Sequence, residues 1–296
     1  MQALILAGGR GMRLNPLTDA LPTSLLYLPG ATILDYLLYH LSVLSISKTT
    51  LVLQYRGDQI ARHLAEHHSD SKMTPIPQYA PFTLLSALAN AAPWVTEPTL
   101  VLHGNFFFSH DFHYLLENAD LSRPTFLLSP EDAAEGRVQG AGAYLLPPEA
   151  FYLAAQVTTE KGLEPFHAAL KKAGLEPAYQ PLQGWARCIR TPSDLLAVNR
   201  YLLTHWHEVM YPPAAGIGYD AINFSWVDPD SKIDKSVQGL FTTIGPGVTV
   251  RHGRLYNALL LPGVELDEAQ EHNAVLAKNS NSLVRLYTSP EEPVMA

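Results

Sequence analysis

The sequence predicts an α/β protein in which a mostly parallel sheet covered by helices is followed by a short coil of parallel strands. Three observations carry this. Apolar runs alternate with helix-period segments from residue 1 to about 205. A glycine-rich turn, Gly8-Gly9-Arg10-Gly11, follows the first apolar run at once. From about residue 225 the helical period disappears and apolar residues recur near every sixth position.

Ala3–Leu6, Thr50–Gln54, Thr99–His103 and Pro124–Leu128 read as short buried strands. Ile33–Leu44, Gln59–His68, Leu84–Ala92 and Phe112–Asn118 carry apolar residues at helical spacing. Ser193–Thr204 reads as a helix closing this domain, with Thr191-Pro192-Ser193-Asp194 as its capped start. The predicted organisation is an α/β domain over 1–205, a linker over 206–224, a coil over 225–285 and a tail over 286–296. The coil is expected to be a left-handed parallel β-helix, from near-repeats such as Ile244-Gly245-Pro246-Gly247-Val248 and Leu261-Pro262-Gly263-Val264. Two to three turns fit, so the coil is expected to pack on the first domain or on a second subunit.

Gly8–Gly11 presents backbone N–H groups in the way a phosphate chain requires, because only glycine lets the backbone turn sharply and approach the anion. The spacing is neither G-x-G-x-x-G nor the P-loop pattern. Gly104-Asn105 also follows a strand, so both turns reach the carboxyl end of one sheet, where ligands of such sheets bind.

Composition narrows the function classes. The net charge of −8 argues against nucleic acid or an anionic membrane as a partner. Charged residues are only 16%, against about 25% for an average soluble protein, which hints at a subunit interface. One cysteine, Cys188, leaves no intrachain disulfide and no multi-cysteine metal site. Met1 leads directly into a strand, so no signal peptide is expected, and no apolar run reaches about 18 residues. The expected location is the cytoplasm.

Leu4 to Tyr36 contains Leu6-Ala7-Gly8-Gly9-Arg10-Gly11, Arg13-Leu14, Pro16-Leu17-Thr18, Pro22, Leu25-Leu26 and Ile33-Leu34-Asp35-Tyr36. This pattern resembles the opening L-A-G-G-x-G-T-R-L-x-P-L-T-x-x-x-P-K of the sugar-1-phosphate nucleotidylyltransferases, the nucleotide-sugar pyrophosphorylases. The resemblance extends over nearly the whole chain. It implies a Rossmann-like sheet of the nucleotide-diphospho-sugar transferase type. It also implies a reaction in which a sugar-phosphate oxygen attacks the α-phosphorus of a nucleoside triphosphate and pyrophosphate leaves, with Mg²⁺ as cofactor.

The departures fall where the family's chemistry sits. The family's phosphate-contacting lysine falls on Thr23 and its threonine after the last glycine on Met12. The metal-binding aspartate of N-G-D falls on Asn105. Counted from Trp185, the second aspartate, of W-x-D-x-G-T-P, falls on Arg187. The G-T-A-G turn near the base falls on Thr83-Leu84-Leu85-Ser86, and the E-K-P segment has no counterpart between Ser129 and Gly140. Mg²⁺ wants carboxylate oxygens, and neither Asn105 nor Arg187 offers one.

The leading expectation is therefore a family member that has lost turnover and binds a nucleotide or nucleotide sugar in a regulatory or assembly role. Its expected ligand residues are Ala7, Gly8, Gly9, Arg10, Gly11, Arg13, Gln78, Asn105 and Arg187, with Gly142 and Tyr144 on the sugar side. Arg187 is expected to stand in for the metal charge, since an arginine fork pairs bidentately with phosphate. No metal ligand is assigned. Expected partners are a second copy or an active paralogue, as in the regulatory subunits of the ADP-glucose and GDP-mannose enzymes and in translation initiation factor subunits. One competing expectation is an active enzyme using Arg13 and Mg²⁺, with a carboxylate such as Asp111, Asp132 or Glu160 relocated to the cleft. Another is a structural subunit whose cleft is filled by Met12, Phe106, Leu84 and Leu85. His63 and His67, four residues apart with His68 next to them, have a spacing that can bind zinc. No acidic or cysteine ligand is placed by sequence to complete that set, and it reads as a solvated helix face.

Overall fold

The computed structural model describes residues 1–69, 72–110, 112–129, 141–160, 162–209, 218–279 and 282–288. The chain forms two compact units. The first comprises Met1–Arg10 and Leu37–Cys188; the second comprises Gly11–Tyr36 and Ile189–Ala296.

The first unit is built on a seven-stranded sheet in the order β10-β8-β9-β6-β1-β4-β5. Its strands are β1 (Gln2–Leu6), β4 (Thr49–Leu53), β5 (Met73–Pro77), β6 (Thr99–His103), β8 (Thr125–Leu128), β9 (Ala143–Leu146) and β10 (Ala178–Pro181). Only β9 runs against its neighbours, β6 and β8. β1 lies between β4 and β6 in parallel register, which is why its run Ala3-Leu4-Ile5 is fully buried. β5 contains Pro75 and Pro77 and forms the sheet edge, the position where missing N–H donors cost least.

Helices α2 (Gly57–His67), α3 (Leu84–Ala91), α4 (His113–Asn118), α5 (Pro148–Ala154) and α6 (Glu164–Lys172) complete this unit, with the C-terminal part of α1 (Ile33–Val43). One core joins Leu4, Val52, Leu88, Val101, Phe126, Tyr144, Phe151 and Phe166. A separate two-stranded ribbon pairs β7 (Phe106–Phe108) with β11 (Ala186–Cys188), antiparallel.

The second unit is a stack of strands in which the described residues from Tyr219 to Tyr287 include no helix. It includes the hairpin β2 (Tyr27–Leu28) and β3 (Ala31–Thr32), then α7 (Pro192–Thr204). Its eight-stranded sheet contains β12 (Tyr219–Asp220), β13 (Ser225–Val227), β14 (Lys232–Ile233), β15 (Gln238–Leu240), β16 (Thr243–Ile244), β17 (Thr249–Leu260), β18 (Glu265–Asn279) and β19 (Ser282–Tyr287). Parallel partners are one coil apart: Val227 pairs with Ile244, Ile244 with Leu260 and Leu260 with Leu276. The spacing is thus 16 or 17 residues per coil rather than a multiple of six. β19 turns back antiparallel on β18.

The corners of the coil repeat as well. Phe224, Phe241, Asn257 and Asn273 all have positive φ, between 46° and 51°. Asn257 Nδ2 donates to Asn273 Oδ1 at 2.8 Å, and the Phe224 and Phe241 rings stack at 5.5 Å.

Two expected boundaries move. The first unit ends at Cys188, not near residue 205, and Gly11–Tyr36 belongs with the C-terminal strands. The reason is local packing: Tyr27 donates to Asp228 Oδ2 at 2.8 Å, Asn279 donates to the Pro16 carbonyl at 3.3 Å, and α7 packs on β17 and β18. The expected linker is anchored at both described ends, where Trp206 stacks on Tyr219 at 5.0 Å and Tyr219 donates to the Leu203 carbonyl at 2.7 Å. Residues 210–217 and 289–296 lie outside the described residues.

Candidate functional site

At the carboxyl ends of β1, β4 and β5, sheet hydrogen bonds continue past the strands. Ala7 donates to Val52, Tyr55 donates to the Gly8 carbonyl, and Gln78 donates to Leu53. The chain is so close here that a Cβ on Gly8 would lie 2.7 Å from Gln78 Oε1 and 3.1 Å from Gln54 Cβ. Only glycine fits. Past this point, no described residue accepts from the amides of Gly8, Gly9 or Arg10. Successive unpaired amides of this kind form an anion-binding concavity. The exposed Arg10 guanidinium lies over the Tyr55 ring, 5.5 Å from its centroid, and Arg56 takes the same distance. Arg56 was not anticipated from sequence; the signal was its place directly after a strand-end aromatic.

Gln78 joins Gly8 as expected, but its side-chain amide donates to the Thr83 carbonyl at 2.9 Å. Thr83 caps α3 by accepting from the Ser86 amide, and its hydroxyl donates to the Thr158 carbonyl. The turn that resembles the family's base-proximal segment is thus closed by its own hydrogen bonds. Leu85 is in the core rather than at a cleft.

A second cluster sits at the carboxyl end of β6. Asn105 Nδ2 donates to Cys188 Sγ at 3.3 Å. Arg187 does not share that position. In an antiparallel pair, opposed residues share a face and successive residues alternate. Cys188 is opposite Phe106, whereas Arg187 is opposite the fully buried Phe107. The residue that meets Asn105 here is therefore Cys188 rather than Arg187, which the resemblance put at the second aspartate. Sequence could have signalled this: counted back from Thr191-Pro192, W-x-D-x-G-T-P puts its aspartate on Cys188.

Beneath these residues the Tyr144 hydroxyl is 2.9 Å from His103 Nε2. Desolvation pulls the His103 pKa down to about 4, so the imidazole is neutral at pH 7. Burial, and next the adjacent Cys188 sulfur, hold the Tyr144 phenol above its ordinary value. Tyr144 is 2% exposed and part of the core, so it is not the sugar-side contact expected of it. Gly142 has φ +71°, and the Phe106 ring packs where a Cβ would be. That position too is covered.

Gly11 and Arg13 belong to the second unit. Gly11 has φ +64° and starts a single 3₁₀ turn, Met12–Leu14, in which Arg13 and Met12 are exposed. Thr23, in the family's lysine position, is buried under Gly11. The Thr23 and Ser24 hydroxyls are buried without a hydrogen-bond partner. Glu160 is exposed, while Asp111 and Asp132 lie outside the described residues.

Residues 2–136 match the family model described as nucleotidyl transferase. Among curated proteins it is similar to the bifunctional protein GlmU of Methanocaldococcus jannaschii, 24% identical over 226 residues, covering 69% of this chain and 54% of that one. It is also similar to the UTP–glucose-1-phosphate uridylyltransferase AglF of Haloferax volcanii, 26% identical over 142 residues, covering 47% and 58%. The chain thus spans little more than half the length of these relatives. Among solved structures, the "Putative Glucose-1-Phosphate Thymidylyltransferase" of Bacillus anthracis superposes with a TM-score of 0.58 at 19% identity, over 72% of this chain and 98% of that one. That likeness is one of fold. No helix among the described residues is long and apolar enough to cross a membrane.

Proposed function

We propose that this nucleotidyl-transferase-like protein binds a phosphate-bearing ligand, a nucleotide or nucleotide sugar, without turning it over, in a regulatory or assembly role. One observation carries the reading: Asn105 donates to Cys188 where the family resemblance calls for two metal-binding carboxylates. Nucleotidyl transfer asks little covalent work of a protein. It asks for positioning and for charge neutralisation at the phosphates. Mg²⁺ is a hard ion that takes carboxylate oxygens. An amide whose N–H₂ is turned to a thiol, above a neutral His103–Tyr144 pair, does not fit it, and no catalytic step is derived through the ion.

What remains is suited to holding an anion. The free amides of Gly8, Gly9 and Arg10 and the Arg10 guanidinium supply donors and charge without a metal. The names of the relatives point to nucleotide sugars as the ligand class. We read the C-terminal coils as a short left-handed parallel β-helix, and a second copy or an active paralogue as the assembly partner, in the cytoplasm. A structural role without ligand is the second reading. It is favoured by the internal closure of the turn through Gln78, Thr83 and Thr158.

The test is a thermal-shift panel of nucleoside triphosphates and nucleotide sugars, each with Mg²⁺ and with EDTA. Ligand at 100 times its Kd stabilises the native state by about 2.7 kcal/mol. Stabilisation that persists in EDTA, with no pyrophosphate release, is the expected result. Pyrophosphate release with Mg²⁺ would overturn the non-catalytic reading. No shift with any ligand would favour the structural one. In the double variant Asn105→Asp with Cys188→Asp, a new Mg²⁺-dependent shift is expected.

A further inference from the structure

The loop that follows edge strand β5 carries two large aromatic side chains that the fold does not bury. Tyr79 is 66% exposed and Phe82 is 62% exposed. Apolar surface left in water forgoes the free energy that its burial would recover. A loose loop could fold such rings away, but this one is tied down along its length. The Gln78 amide donates to the Leu53 carbonyl at 2.7 Å, the Tyr79 amide to Asn90 Oδ1 at 2.7 Å, and the Ser86 hydroxyl to the Tyr79 carbonyl at 3.0 Å. The Thr83 amide donates to the Pro81 carbonyl at 2.9 Å. Both rings are therefore presented from a set backbone, which leaves less conformational entropy to lose when something packs on them.

Their place narrows what that partner is. Gln78 closes on Gly8, and Tyr79 is the next residue. The aromatic pair thus starts one residue from the contact with the anion-binding turn, at the same end of the sheet and within one compact unit. The polar side chains of the loop are already engaged. Gln78 Nε2 donates to the Thr83 carbonyl at 2.9 Å, and the Thr83 hydroxyl donates to the Thr158 carbonyl and accepts from the Ser86 amide. What the loop turns to solvent is π surface rather than hydrogen-bonding side chains. A planar ring stacks on such a surface whichever polar groups its edge carries.

We propose that Tyr79 and Phe82 stack the planar base of a nucleotide whose phosphates occupy the Gly8–Arg10 turn, holding it with little discrimination among bases. Phosphate binding at that turn, as proposed above, is the premise; the base and the way it is held are what the aromatic pair adds.

The experiment is isothermal titration calorimetry of the full chain in EDTA, with ADP, GDP, CDP, UDP and inorganic pyrophosphate as ligands. In the unaltered protein the nucleotides should bind within about tenfold of one another. Tyr79→Ala and Phe82→Ala should each weaken every nucleotide by about tenfold and leave pyrophosphate unchanged. Tyr79→Phe and Phe82→Tyr keep an aromatic face and should keep nucleotide affinity. Trp94→Leu, at an exposed aromatic residue whose carbonyl accepts from Gln2 at the opposite end of β1, should change nothing. Far-UV circular dichroism checks that each variant folds; should one alanine variant unfold, the other carries the comparison. Nucleotide affinities that survive both alanine variants, an equal loss for pyrophosphate, or a preference for one base of more than about a hundredfold would overturn the stacking platform and leave the anion site standing. Pyrophosphate bound with no nucleotide bound would do the same. No binding by any of these ligands would overturn the phosphate-binding reading itself, and the platform with it.

Discussion

The two units bury apolar strands by different rules, and the difference shows where chemistry can reside. In the first unit every strand has its own neighbours and its own ending. β1 ends in Gly8–Arg10, β5 in Gln78, and β6 in Gly104-Asn105. In the second unit each coil repeats the one before it, with Ile244, Leu260 and Leu276 in register and Phe241, Asn257 and Asn273 at equivalent corners. Repetition gives each residue the same few neighbours and little room for a special group. Aperiodic strand ends gather unlike groups, which is what a binding site needs.

The contrast is broken most directly in the two cores. Phe126 is fully buried and touches Tyr144 of one strand and Phe166 and His167 of one helix. Phe126→Ala should cost about 3–5 kcal/mol, measured by urea unfolding. Leu260 is equally buried but packs among residues of its own and adjacent coils. Leu260→Ala should cost about 2–4 kcal/mol, and hydrogen exchange should show the loss concentrated in neighbouring coils. Equal loss of protection in all coils would mean that the stack unfolds as one block.

Acid should separate the units next. His103 is neutral when folded, with a pKa near 4, and an unfolded histidine titrates at about 6.5. Between these values the unfolded chain binds a proton that the folded chain refuses, so stability falls as pH drops through that window. The full effect is up to about 3 kcal/mol. His103→Asn should remove most of the slope between pH 6.5 and 4 in denaturant titrations. A slope that survives the substitution would assign acid sensitivity to other groups.

How much of this was legible in the sequence follows the same division. β1 and β6 were readable because strands buried on both faces are continuous apolar runs. The helices from Ile33, Leu84 and Ser193 were readable from their periodicity and, for the last, its capping residues. β5 was not, since Pro75 and Pro77 hide an edge strand. The attachment of Gly11–Tyr36 to the coils rests on Tyr27 and Asp228, a contact spanning 201 positions that no local pattern announces. Cys188 was missed by one residue, and in a strand one residue reverses the face. The 16-residue coil was masked because an apolar recurrence near six describes the sides of a coil but not its corners.

The corners offer a finer test. Left-handed backbone costs an ordinary residue about 1–2 kcal/mol, and asparagine less. Asn257 adds a hydrogen bond to Asn273 in the next coil. Asn257→Val should lose about 1–2 kcal/mol in thermal unfolding and Asn257→Gly less, because glycine gives up the hydrogen bond but relieves the backbone. Equal losses would mean that the side-chain ladder, not the backbone, holds the corner.

The smallest effect belongs to the start of α7. The Thr191 hydroxyl accepts from the Asp194 amide at 3.2 Å, and Asp194 Oδ2 accepts from the Thr191 amide at 2.9 Å and the Arg190 amide at 3.1 Å. This reciprocal pair satisfies helix N–H groups that would otherwise lack partners. Thr191→Ala should cost about 1 kcal/mol by denaturant unfolding. Because the two side chains also meet through the Thr191 hydroxyl and Asp194 Oδ2 at 2.8 Å, the double variant with Asp194→Ala should cost less than the sum of the single variants. Strict additivity would mean that each residue caps the helix alone. The helix that packs on the repeating coils would then start with two independent contacts rather than one cooperative box.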